Sequence, residues 1–127
     1  MAKTNKKNAF TLLELLIVIT LVGILAVIVM TRYGAVAENA RSAEAYAVLA
    51  EVAASESGYY VENNAYTTTW SNLDRYAAAP PSDNFTYTLN SGYYGKAAPK
   101  SGRGTKTYYM CFDGTNKGTA IPSCSTP

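Results

Sequence analysis

The chain has 127 residues, enough for one small domain once a targeting segment is set aside. It contains no histidine, so the commonest general base and the commonest metal ligand are missing. Its formal charge of +2 implies no general attraction to polyanions, because Lys3, Lys6 and Lys7 precede position 10 and the remainder carries eight basic against nine acidic residues.

Residues 1–9 are short, polar and basic. From Phe10 to Met30 runs an apolar stretch of 21 residues, long enough to cross a hydrocarbon core as a helix. Lysines ahead of such a helix stay cytoplasmic, which places the C-terminal part outside. The stretch carries one charge, Glu14, which is costly in lipid and calls for a partner. An ordinary secretory signal is the alternative, with Ala35-Val-Ala37 as a small-x-small site. Its apolar core is usually shorter, roughly 7–15 residues, and does not hold a glutamate.

Phe10-Thr-Leu-Leu-Glu14 behind a Lys-rich leader resembles the processing motif of type IV prepilins. The resemblance implies cleavage between Ala9 and Phe10 by a prepilin peptidase, methylation of the new Phe10 amine, and assembly of the chain with itself into a pilus. Glu14 is the acidic residue five places into the mature chain, and Gly23 lies where many such helices carry a glycine. Two positions depart from the family pattern: Ala9 stands where glycine is usual, and Thr31 where many members have proline. The motif covers about 25 residues, and the rest matches in architecture only.

Elementary electrostatics agrees with that reading. A carboxylate near a helix N-terminus is favoured by the helix dipole. Cleavage would remove the lysines and create an amine on Phe10, and pairing it with Glu14 of a neighbouring copy would neutralise two charges that are costly to bury apart. Snorkelling of Glu14 to the headgroups is the simpler alternative.

Residues 31–60 are expected to continue the helix as an amphipathic half. Val36, Ala40, Ala43, Ala47, Ala50 and Ala54 form one stripe of small residues at helical spacing, and Tyr46, Leu49, Ala53 and Tyr60 a bulkier one. Two apolar faces suggest two partners, the chain's own domain and neighbouring helices. Glu38, Glu44, Glu51 and Glu56 are expected on what remains, with Arg41 able to reach Glu38 or Glu44. Gly23 and Gly34 are the weak points, where local unwinding in an assembled filament is expected.

Residues 61–127 are expected to form a connecting loop and an antiparallel sheet. Gly58 to Pro81 reads as the connection, anchored by Trp70 and Leu73 and closed by Ala77-Ala-Ala-Pro-Pro81. Phe85–Leu89 alternates as a half-buried strand, Asn90-Ser-Gly92 turns, and Tyr93-Tyr94 begins a second strand. Thr105–Phe112 makes a third strand and Thr119–Ile121 a short fourth. The fold class is therefore α+β, a long N-terminal helix packed on a small sheet. Asn84-Phe-Thr86 matches a glycosylation acceptor, a pattern common by chance. Cys111 and Cys124, behind an export segment, are expected to form a disulfide. In type IV pilins a comparable loop borders the outer face of the filament.

No catalytic constellation stands out. The glycines at Gly95, Gly102 and Gly104 lack Walker spacing, and two cysteines without histidine make a poor metal site. The chain is read as non-enzymatic and without cofactor. Lys96, Lys100, Arg103, Lys106 and Lys117 face only Asp113 over their span, with Tyr93, Tyr94, Tyr108 and Tyr109 nearby. That pattern admits contact with nucleic acid or a surface, beside the plainer reading of a solvated loop.

The expected function is a type IV pilin, held in the inner membrane before assembly and on the cell surface after it. Adhesion, twitching motility or DNA uptake are what the resemblance implies. The alternatives are a type II secretion pseudopilin, whose major forms typically bind calcium through clustered C-terminal carboxylates, and a DNA-binding or adhesive minor pilin. After Asp83 only Asp113 is acidic, which favours the pilin.

Overall fold

The computed structural model describes residues 10–125, with the backbone alone at Thr31. Ala9 and the leader lysines lie outside the described residues. One helix, α1, spans Leu12–Asn63 and is unbroken at Gly23 and Gly34. The chain separates into two compact units between Ala37 and Glu38.

In the first unit the helix is apolar all round from residue 15 to residue 30, and Ile17, the most covered of its large side chains between Phe10 and Met30, still exposes 49 % of its surface. A helix of that kind needs lipid or other helices around it. Thr20, the polar interruption, donates its hydroxyl to the carbonyls of Leu16 and Ile17 at 2.9 and 2.8 Å, so it leaves no unmet polar group.

The second unit holds the core. Ala45, Leu49, Val52, Ala53 and Glu56 recur along one buried stripe of α1. The helix ends at Asn63, a turn later than Tyr60, so Gly58 lies inside it. Asn64 takes a left-handed φ of 53° and donates to the Tyr60 carbonyl at 2.8 Å, the usual way of ending a helix without glycine. In the connection Leu73 is buried and Trp70 packs against the core from a single 3₁₀ turn, Trp70–Asn72.

The sheet is an antiparallel meander of β1 Phe85–Asn90, β2 Tyr94–Pro99, β3 Tyr108–Cys111 and β4 Lys117–Gly118, in that order. Phe85 and Tyr87 point inward while Thr86 and Thr88 face solvent, as the alternation requires. Phe85, Tyr87, Ala97, Tyr108 and Met110 meet Ala45, Leu49 and Ala53 of the helix. At Gly95 a Cβ would stand 2.9 Å from Leu49 Cδ2, so the bare backbone lets β2 approach the helix.

The strand bounds differ from expectation. The third starts at Tyr108 rather than Thr105, because Gly102 and Gly104 adopt left-handed φ and Lys106 is drawn to Glu38. The fourth is Lys117–Gly118 rather than Thr119–Ile121. The Cys111 amide reaches the Asn116 carbonyl at 2.9 Å, pairing the chain early, and the Cys111–Cys124 disulfide takes up the segment beyond. Tyr93 also sits in the hairpin turn with φ 62°, and β2 begins one residue later.

Candidate assembly surface

Thr11 precedes the first helical residue and its hydroxyl accepts from the Glu14 amide at 3.2 Å, an N-cap. Thr11-Leu-Leu-Glu14 therefore has the spacing of a capping box. That pattern was open to a reader of the sequence and ties the helix start to the residue already singled out for its charge. Both side chains are exposed, at the head of a helix whose residues 15–30 are apolar but for Thr20 and Gly23.

In the second unit the two helix faces divide as their residue sizes suggest. Leu49 and Ala53 are buried against the sheet, with Tyr46 and Tyr60 half-buried. Ala40, Ala43, Ala47, Ala50 and Ala54 are all exposed. In the first unit Val36 is exposed as well.

The helix glutamates are not a solvated remainder. Glu44 accepts from Ser82 Oγ at 2.7 Å and from Asn84 Nδ2 at 2.6 Å, and Glu51 pairs with Arg75 at 3.0 Å. The Asn84 amide is thus engaged within the fold. Glu38 accepts from the Tyr108 hydroxyl at 2.8 Å, with Lys106 and Arg41 each at 3.7 Å. The Tyr108 hydrogen bond, ahead of the two cations, holds the Glu38 carboxyl below its ordinary range. Burial, and then the same bond, push the Tyr108 phenol up to about 12. Replacing Tyr108 with phenylalanine should move the Glu38 titration upward toward 4.5, read from its carboxyl NMR signal against pH.

Glu56 departs from expectation most. It is fully buried, and its Oε2 accepts from the Thr67 amide at 3.0 Å while Oε1 has no protein partner among the described residues. Burial raises its carboxyl to about 7 against that single opposing bond. Spacings of four, three and four from Ala45 through Leu49 and Val52 place Glu56 on the buried stripe, so the helical period carried the signal.

The basic constellation is partly spent inside the fold. Lys106 pairs with Glu38, the Lys100 amine donates to the Ser82 carbonyl, and the Lys117 amine lies 5.4 Å from the Tyr46 ring centre. Tyr108 is buried. Lys96 and Arg103 make no ion pair among the described residues, and Tyr94 and Tyr109 meet edge to face at 5.7 Å. Cys111, buried in β3, is joined to Cys124.

Residues 4–30 match the family model of the prokaryotic N-terminal methylation motif. That motif is the leader signature of type IV pilins and pseudopilins. No curated protein and no solved structure matches the chain significantly.

Proposed function

Starting from a methylation motif that ends where the apolar stretch ends, we propose that this chain is a filament subunit of the type IV pilin kind. It is held in the inner membrane by residues 10–30, cut between Ala9 and Phe10 by a prepilin peptidase, methylated on Phe10, and polymerised with itself by the pilus assembly machinery into a surface filament. One observation carries the reading: the 4–30 motif coincides with an apolar helix that its own chain leaves bare. Surface so apolar fits lipid before assembly and neighbouring helices after it. In the filament, Glu14 pairs with the Phe10 amine of an adjacent copy, and each charge removes the other's burial cost. The exposed alanine stripe of the second unit admits close approach by neighbours. The disulfide-closed C-terminal tail suits the pilin over the calcium-binding pseudopilin. Adhesion, twitching motility, and a nucleic-acid contact through Lys96 and Arg103, with Lys100 and Lys106 beside them, belong to the same proposal.

Mass spectrometry of the mature chain tests it. The expected product begins at methyl-Phe10, and an end near Val36 or Ala37 would instead mark a secretory signal. Glu14→Gln should leave cleavage intact and lower filament yield about tenfold or more, because the buried amine then lacks its counter-charge.

A further inference from the structure

The second unit carries a groove of about 300 Å³ between α1 and the turn after β3, floored by Ala50, Ala54 and Phe112 and edged by Ser57, Asp113 and Gly114. It is small for an organic ligand and of a size for a long side chain. Asp113 is exposed and has no cation within ion-pair distance among the described residues. Its Oδ1 accepts from the amide and hydroxyl of Thr115 at 2.9 and 2.7 Å, which fixes the carboxylate at the groove edge.

Its complement lies at the other end of the sheet. Arg103 stands between Gly102 and Gly104, both at positive φ, on an exposed loop, and it too makes no ion pair among the described residues. Gly104 faces the Arg41 side chain, whereas the groove reaches Ser57. Sixteen helical residues separate those two positions, about 24 Å at ~1.5 Å per residue. Arg103 is thus beyond the reach of the Asp113 in its own chain.

The geometry points to a head-to-tail contact in which Arg103 of one copy enters the Ala50–Asp113 groove of the next. The guanidinium meets the Asp113 carboxylate while its methylene stem lies on the alanine floor. Donor and acceptor surfaces differ, so the contact is heterologous and repeats from copy to copy. The occupant is a second copy because each chain presents both complementary ends unspent. This rests on the subunit reading above and adds to it a named contact between the second units.

The test uses the full chain in cells that assemble it, reading sheared filaments against total chain. Arg103→Glu and Asp113→Lys should each lower that ratio about tenfold or more, and the two together should restore it to within about threefold. Asp113→Asn keeps an acceptor for Thr115 and removes the charge, so it should show the same loss with the turn intact. Single variants that assemble normally, or losses that the combined variant does not lift, overturn the contact while leaving the subunit reading in place. A wild-type chain that is cut to methyl-Phe10 yet forms no filaments overturns both.

Discussion

Raising the pH from about 4.5 to about 7 should progressively destabilise the protein, and Glu56→Gln should remove most of that slope. Glu56 titrates near 4.5 when unfolded and at about 7 in its buried site. Below 4.5 the carboxyl is protonated in both states, and its contribution is fully present. Between the two values the folded chain holds a proton that the unfolded chain has released, so stability falls as pH rises, levelling off above 7. The separation corresponds to about 3 kcal/mol at ~1.4 kcal/mol per pKa unit. Burial is the cause, since one amide from Thr67 serves the carboxylate and Oε1 meets no partner among the described residues. Tyr66 interacts electrostatically with Glu56, and burial raises its phenol above the ordinary value, away from this window. Glu38 is depressed and acts the opposite way, its contribution being lost as pH falls below 4.5. Glutamine keeps an acceptor for Thr67 and never ionises. Denaturant unfolding of the full chain in detergent, at pH 5, 6, 7 and 8, should give a falling midpoint for the wild type and a nearly level one for the variant. Equal slopes in both would show that Glu56 is not the titrating group.

Cutting the disulfide should cost about as much. Cys111 and Cys124 are separated by 13 positions, and closing so short a loop in the unfolded chain is worth about 3 kcal/mol in the chain-entropy model. The bond also holds the segment after β4, which itself pairs over two residues only. Reduction, or replacement of both cysteines by alanine, should therefore lower the denaturant midpoint and first expose to exchange the amide of Gly118, which faces Tyr109 in the ladder. An unchanged midpoint, with protection retained at Gly118, would place the stability of the tail elsewhere.

Local pattern made much of this fold legible. The apolar run, the helical spacing of Leu49 and Ala53, the alternation of Phe85–Leu89 and the Asn90-Ser-Gly92 turn each signal one structure. Strand ends were less legible, because they depend on contacts distant in sequence. Lys106 leaves the sheet for Glu38, 68 positions earlier, and β4 is set by the Asn116 carbonyl meeting Cys111. Tyr93 occupies a left-handed position that Gly92, its neighbour, would fill without strain. Its ring lies 5.7 Å from that of Tyr66, and its carbonyl accepts from Phe112, tertiary contacts with no local signature. The charged residues of the helix divide the same way. Glu14 announced itself as a charge in an apolar run, and its capping by Thr11 lay in the four-residue spacing. The partners of Glu44 lie about 40 positions away and left no trace in the local pattern.

Four of the helix glutamates have a mechanical consequence. Glu38, Glu44, Glu51 and Glu56 join Tyr108, Asn84, Arg75 and Thr67 along 18 residues of α1, about 27 Å at ~1.5 Å per residue. Tension applied along the helix axis strains these fasteners side by side, as shear on a riveted seam, rather than one after another, as in peeling. Slippage of the spine against the connection and the sheet then requires several of them to yield together.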